Sequence, residues 1–372
     1  MILHLIPDDK FTDYAINQFL EIEDSSHFVL LVDVDTYNVN FIERKKEIQL
    51  INIQSPIYKQ FCSTINEYQA VILHGLFSPL QVNIIQFLDD DTKLAWVFWG
   101  GEIYGRNDIK LDFLSRKSKY IYYYRYLKRL LKGNFRKDDH FFAPKSIFNR
   151  IDYCLTDVHE DYEYIKKYTD SPMKELWYNY YSIEETIGEL VNQNVNDNNI
   201  LVGNSCNLEN NHIDAFQKLR QFNLPNKKVI VPLSYGQNWL RKIILKNGFK
   251  YLGSSFIPLT DFVKLNEYNQ IILSCSVVVM NHYRPQAMGN LLTAFWLGAR
   301  VYMSNKSHLY NYFKRLGVLV YSIEDDLNVM NKMSLTPLTE SEVEHNRSIL
   351  RREYGKENMM KKIKELVQIL NS

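Results

Sequence analysis

The sequence is poor in cysteine, in long apolar runs and in net charge, and each shortage closes off a class of protein. Four cysteines in 372 residues, Cys62, Cys154, Cys206 and Cys275, stand far apart with no Cys-x-x-Cys pair. That spacing argues against a disulfide framework or a cysteine zinc site and fits a reducing cytosol. No stretch approaches the roughly 18 uncharged apolar residues that a spanning helix needs. The apolar start, Met1 to Ile6, has neither the basic region nor the length of a signal peptide. A formal net charge of +1 gives no global pull toward nucleic acid, and none is expected as a partner. Neither G-x-x-x-x-G-K-[ST] nor G-x-G-x-x-G occurs, so the phosphate loops of NTP hydrolysis and dinucleotide redox chemistry are missing. No Ser, His and Asp spacing suggests a hydrolase.

What is present is alternation. Short apolar runs at Met1–Ile6, His27–Val34, Gln69–His74, Lys93–Trp99, Ile151–Thr156 and Leu176–Tyr180 are separated by helical patterns, which predicts a parallel sheet with helices on both faces. The Asn-rich stretch Val191 to Asn199 reads as a turn or linker, with a domain boundary near 185 to 198. The pattern then restarts with strands at Ile200–Val202, Lys228–Val231, Val277–Met280, Arg300–Met303 and Val318–Tyr321, and ends in one long charged helix from about Glu340 to Leu370. The expected layout is a first Rossmann-like domain over 1–185, a second over 199–345, and a terminal helix over 346–372 that returns to the first.

The most informative stretch runs from Val277 to Asn305. A buried strand stops at a polar loop carrying Asn281, His282, Arg284 and Gln286; a helix begins with Gly289 and Asn290 in its first turn; Gly298 closes it before the next strand. Free N–H groups at such a helix start suit an anion, and Arg284 adds a formal cation. Gly203, Asn204 and Ser205 end another strand of this half, and Tyr235 follows a third. Ordinary solvated connections also look like this one by one, so the weight lies in the clustering.

Two strand ends in the first half carry chemistry. One delivers His74 and Gly75, the other Trp99, Gly100, Gly101 and Glu102. Glu102 is the candidate general base of an inverting transfer, with a less direct role if configuration is retained; a carboxylate complementing a helix dipole is the plainer alternative. His74 is the reserve candidate, or a group that orients the acceptor, against the plainer reading of a hydrogen-bonded, partly buried histidine. Asp33 and Asp35 form a D-x-D, read as a strand end and not as a metal site; no metal and no cofactor are expected.

From Ser115 to Lys137 nine cations (Arg116, Lys117, Lys119, Arg125, Lys128, Arg129, Lys132, Arg136 and Lys137) occur with no acid and with five interleaved tyrosines. Such a segment suits an anionic bilayer surface, although single-stranded nucleic acid would use the same ingredients and a solvated face is the plain alternative.

Taken together, HGLFSP at His74–Pro79, FWGGEIY at Phe98–Tyr104, ILVGNS with NNHIDAF within Ile200–Phe216, VIVPLSYG at Val229–Gly236 and the central loop and helix resemble the bacterial TDP-N-acetylfucosamine:lipid II N-acetylfucosaminyltransferases, a 4-α-L-fucosyltransferase-like family. The resemblance covers most of the chain. It implies a GT-B fold, two Rossmann-like domains facing across a cleft, a dTDP-sugar donor, a polyprenyl diphosphate-linked saccharide acceptor, and peripheral attachment to the cytoplasmic face of the inner membrane. Gly101 and Glu102 stand where the family pattern often has Ala and Asp, which bears on the identity of the sugar more than on the reaction class. A GT-B-fold nucleotide-sugar epimerase and a non-catalytic nucleotide- or glycan-binding protein are the alternatives.

Overall fold

The computed structural model describes residues 1–22, 26–133, 140–224 and 226–372. The chain divides into two compact units, one formed by Met1–Arg106, Asp138–Ser182 and Lys356–Ser372, the other by Asn107–Lys137 and Ile183–Gly355.

The first unit carries strands β1 (Ile2–Leu5), β2 (Ser26–Val32), β3 (Ile48–Asn52), β4 (Ala70–His74), β5 (Lys93–Val97), β6 (Tyr153–Leu155) and β7 (Lys174–Leu176) in one sheet of order β3-β2-β1-β4-β5-β6-β7. Every neighbouring pair is parallel. The central strands β1 and β4 are buried along their whole length, as near-continuous apolar runs covered on both faces must be. Helix Lys356–Asn371 completes this core: Met359, Ile363, Leu366, Val367 and Leu370 recur at helical spacing and join Ile16 and Phe19 in it.

The second unit carries β8 (Asn199–Val202), β9 (Val229–Pro232), β10 (Phe256–Leu259), β11 (Cys275–Met280), β12 (Arg300–Met303) and β13 (Tyr321–Ser322), again all parallel, in the order β10-β9-β8-β11-β12-β13. All six residues of β11 are buried, and helix Met288–Leu297 buries every residue from Leu291 to Leu297.

Several elements differ from the sequence reading. Strands β3 and β10 were not expected. β3 is an edge strand that buries only Ile51 and leaves Leu50 exposed, and β10 contains Pro258, which an edge tolerates because one side needs no N–H. The apolar runs near Leu176–Tyr180 and Val318–Tyr321 pair only over Lys174–Leu176 and Tyr321–Ser322. The helix expected from Glu340 to Leu370 is two helices, Glu340–Tyr354 and Lys356–Asn371, broken where Gly355 turns extended (φ −61°, ψ 140°).

The basic helix Arg116–Leu131, which chain order places with the first half, belongs to the second unit. Its N-cap Ser115 holds it there: the Ser115 N–H donates to Asn211 Oδ1 at 2.8 Å and its hydroxyl to Asp214 Oδ2 at 2.6 Å. Arg136 and Lys137 of the basic run lie outside the described residues.

Candidate active site

In each sheet the strand order reverses at one place, and there the loops leaving the carboxyl ends diverge to leave a crevice. In the second unit this place lies between β8 and β11. Gly203 ends β8 at φ +68°, where a Cβ would stand 2.8 Å from Asn210 Oδ1 and 2.9 Å from His212 Nε2, so glycine is required for close approach as well as for the backbone angle. The Asn204 N–H donates to Asn210 Oδ1 at 3.0 Å, and Ser205 Oγ accepts from Asn207 and Asn210 at 3.1 and 3.0 Å. Asn281, at the end of β11, is locked to Asn211 in both directions: its amide donates to the Asn211 carbonyl at 3.2 Å, and its own carbonyl accepts from Asn211 Nδ2 at 2.9 Å. Asn281 and Ser205 were expected among the donor-binding side chains; the structure uses both to brace the two loops.

Other side chains at these ends are left with bonding capacity. His282 is fully buried with neither ring nitrogen partnered among the described residues; Asn204 Oδ1, His212 Nε2 and Gln286 Nε2 are also buried and without partners there. Groups of this kind cost free energy unless something else satisfies them. Burial first, and then the Arg284 charge, holds His282 down to about 3, and burial alone does the same for His212, so both rings are neutral at physiological pH. Arg284 stands 4.0 Å from Glu209. The loop closes at Ala287, held at φ +63°, and helix Met288–Leu297 starts with no side chain capping it, leaving the N–H groups of its first turn, Gly289 and Asn290 included, open to an anion. The Asn290 side chain donates to the Tyr268 hydroxyl at 3.2 Å, whereas Tyr235 is 55% exposed and accepts from Asn204 Nδ2 at 3.4 Å. Glu209, Asn211 and His212 were missed as individuals in the sequence; only the motif NNHIDAF pointed to their neighbourhood.

In the first unit the reversal lies between β1 and β4. Here His74, the reserve candidate or acceptor-orienting group of the sequence reading, has the hydrogen bonds of the plainer alternative and is more deeply buried than that alternative supposes. It is buried, with Nε2 3.1 Å from His4 Nδ1 and Nδ1 2.9 Å from the Tyr180 hydroxyl, which also accepts from the Trp99 indole at 2.8 Å. Burial holds His74 at about 3, so it acts as a neutral brace for Tyr180 and Trp99.

Glu102 lies in the short helix Gly101–Tyr104 and is 2% exposed. One carboxyl oxygen accepts from the backbone N–H groups of Trp99 and Leu76 at 3.3 and 3.4 Å, which ties the loop after β5 to the loop after β4. The other oxygen meets no donor at hydrogen-bond geometry among the described residues, although the nearby Trp96 indole also favours the ionised form. Burial outweighs these contacts and pushes Glu102 up to about 7. A carboxyl balanced near neutrality can take a proton or give one at working pH.

The cations of the basic helix divide between contacts within the unit and the surface. Lys117 pairs with Asp214 at 3.5 Å and donates to Gln217, and Arg125 lies 3.9 Å over the Trp239 ring. Arg116, Lys128 and Lys132 are exposed, Lys119 and Arg129 half-buried. The D-x-D contributes Asp35 as an acceptor for Asn52 at 3.1 Å.

The whole chain matches solved glycosyltransferase structures at low sequence identity. A glycosyltransferase from Rickettsia africae gives a TM-score of 0.65 at 10% identity, covering 99% of this chain and 98% of that one. Sucrose-phosphate synthase from Thermosynechococcus elongatus gives 0.62 at 10%, covering 99% and 98%. Anabaena HepE, solved with UDP and glucose, gives 0.59 at 12%, covering 99% of each. The sequence model of the family described as 4-alpha-L-fucosyltransferase glycosyl transferase group 56 matches residues 10–336. With two parallel α/β units of this topology, each loaded at its point of strand reversal, the chain belongs to the 4-alpha-L-fucosyltransferase family and is a glycosyltransferase of the GT-B fold.

Proposed function

We propose that the protein transfers a deoxyamino sugar of the N-acetylfucosamine type from a dTDP-sugar to a polyprenyl diphosphate-linked saccharide, at the cytoplasmic face of the inner membrane, in surface polysaccharide synthesis. One observation carries the donor half of this reading: the uncapped helix start beside Arg284, together with the His282 ring nitrogens, Asn204 Oδ1 and Gln286 Nε2, which have no partner among the described residues, a set of neutral and cationic groups suited to a diphosphate and its sugar. HepE, of the same fold, was solved with UDP and glucose, which supports a nucleotide-sugar donor. The dTDP base and the lipid-linked acceptor come from the sequence resemblance. On this reading the leaving diphosphate is stabilised by N–H groups, the helix dipole and Arg284, with no metal or cofactor, and EDTA is expected to leave activity intact. The second unit holds the donor, and Glu102 in the first unit is the general base that takes the acceptor hydroxyl proton.

The test is incubation of the purified protein with dTDP-, UDP- and GDP-sugars, with and without a membrane lipid extract. Nucleotide release that requires lipid is the expected result. An epimerised sugar formed without acceptor identifies an epimerase, and binding without turnover identifies a non-catalytic protein.

Arg284→Ala is expected to weaken donor use roughly ten- to a hundredfold, because a charge-assisted hydrogen bond contributes about 1.5–3 kcal/mol. Its removal also leaves Glu209 as an unbalanced anion beside the diphosphate. Donor kinetics within twofold of wild type would take Arg284 out of the site.

The membrane reading rests on helix Arg116–Leu131, whose Tyr120, Tyr124 and Leu131 are exposed alongside its cations. Among the described residues, no helix is long and apolar enough to cross a membrane. Lys117 and Arg125 are engaged within the unit, so the informative set is Arg116, Lys119, Lys128 and Lys132, all to Ser. At about 1 kcal/mol per charge near an anionic leaflet, the fourfold variant is expected to lose about a thousandfold in vesicle partition. Sedimentation with phosphatidylglycerol vesicles checks it; indifference to both the substitutions and raised salt would assign the patch another partner.

A further inference from the structure

A general base must touch its substrate, yet Glu102 is buried, and an exposed aromatic side chain stands close by. The loop after β4 carries Phe77, whose ring lies on the two glycines beside the carboxyl. A Cβ at Gly75 would stand 2.5 Å from Phe77 Cε2 and 3.6 Å from Glu102 Oε1, and a Cβ at Gly101 would stand 3.2 Å from Phe77 Cε1. The absence of both side chains lets the ring down onto the carboxyl's surroundings. Phe77 is nevertheless 41% exposed, and its ring meets Trp99 edge-on at 5.5 Å between centroids. A large apolar residue held at a surface on a floor of glycine, with a buried acid on the far side of one of those glycines, is placed to act as a water seal.

We propose that Phe77 is a displaceable shield over Glu102, which keeps water from the base until the acceptor saccharide moves the ring aside, and so sets the ratio of transfer to hydrolysis. The inference rests on the reading of Glu102 as the base. In the productive step the acceptor O–H proton goes to the Glu102 carboxylate, the acceptor oxygen bonds to the anomeric carbon, and the bond from that carbon to the diphosphate breaks with its electron pair leaving on the diphosphate. Water in place of the acceptor gives free sugar and nucleoside diphosphate by the same electron flow. A seal that only the correct acceptor opens suppresses this loss.

Uncovering the carboxyl also removes the burial that pushes it to about 7. The groups around it do not obscure that change. Cys154 and Tyr180 are raised well above their ordinary values by burial, and His74 is held at about 3. Tyr104 donates to Asp161 at 2.6 Å, and Arg106 donates to the Glu102 carbonyl at 2.9 Å.

The experiment measures nucleoside diphosphate release from the donor with and without acceptor lipid, across pH 4 to 9, in wild type, Phe77→Ala, Phe77→Leu, Glu102→Gln and the Phe77→Ala/Glu102→Gln double variant. Phe77→Ala is expected to raise acceptor-independent release at least tenfold relative to transfer and to move the pH midpoint from near 7 toward ordinary carboxylate values. Phe77→Leu, which keeps an apolar cover, is expected within threefold of wild type, and the double variant is expected to lose the leak. Unchanged leak and midpoint in Phe77→Ala, with Glu102→Gln inactive, overturns the shield alone, as does a Phe77→Leu leak equal to that of Phe77→Ala. Wild-type turnover in Glu102→Gln overturns the base, and the shield with it.

Discussion

Replacing Glu102 with Gln is expected to lower turnover by roughly a hundredfold or more while leaving donor affinity nearly intact. The substitution keeps the shape and an acceptor oxygen for the Trp99 and Leu76 N–H groups, so both loops stay tied, and it removes only the ability to take a proton. Steady-state kinetics with saturating donor and acceptor decide it, and a wild-type rate would remove Glu102 from the chemistry. With Glu102 as the proposed base, its ionised form is the active one and the wild-type rate is expected to rise with pH through about 7.

The same variant makes a second, independent statement through stability. A folded-state pKa raised from 4.5 to about 7 means the native protein holds this proton more tightly than the unfolded chain. Stability from that preference is complete below 4.5 and is lost as pH rises toward 7. Above 7 the native state carries a buried anion at a cost of about 3 kcal/mol. Glu102→Gln should therefore match wild type in thermal denaturation near pH 4.5 and melt higher than wild type at pH 8. Stability surrendered at a buried acid in exchange for chemistry is a common trade. Equal melting at pH 8 would mean that the carboxyl is less buried in solution than in this structure.

What the sequence disclosed was whatever short-range pattern encodes. Apolar runs alternating with helical periods announced both parallel sheets, and the loop from Asn281 to Asn290 stood out because polar side chains clustered at the end of a buried strand. Partners far along the chain were illegible. Nothing local says that the Asn281 amide is spent on Asn211, 70 residues away, or that His74 is sealed between His4 and Tyr180. The placement of Arg116–Leu131 rests on Ser115 meeting Asn211 and Asp214, Lys117 meeting Asp214 and Arg125 meeting Trp239, contacts that no periodicity contains. The glycines Gly75, Gly100 and Gly101 stand out in the sequence at the strand ends, but that the Phe77 ring lies on Gly75 and Gly101 is a fact of tertiary packing.

The Asn-rich connection from Val191 to Asn199, which reads as a turn or linker in the sequence, is fastened at several points. Val195 N–H donates to the Leu297 carbonyl at 2.8 Å, and the Trp296 indole donates to the Val191 carbonyl at 2.8 Å. Arg347 is the hub. It is buried on helix Glu340–Tyr354 and donates to the Trp296 carbonyl at 2.9 Å, the Gln193 carbonyl at 2.7 Å and Asn194 Oδ1 at 2.6 Å, while pairing with Glu344 at 2.8 Å. Its planar fork thus pins the carboxyl end of helix Met288–Leu297, whose other end is the proposed diphosphate site, to the connection and to the helix that follows. Arg347→Ala strands three acceptors in a buried setting, a loss of roughly 3–5 kcal/mol. At about 2–4 °C per kcal/mol for a unit of this size, the melting temperature should fall by on the order of 10 °C. Arg347→Lys should recover only part of this, since an ammonium cannot serve three divergent acceptors from one plane. Donor affinity in Arg347→Ala should fall along with stability and should recover in Arg347→Lys in proportion to the restored melting temperature. A melting temperature within 2 °C of wild type for Arg347→Ala would show that the connection is held without Arg347, by the Trp296 indole and the N–H groups of Val195, Asn196 and Asn199.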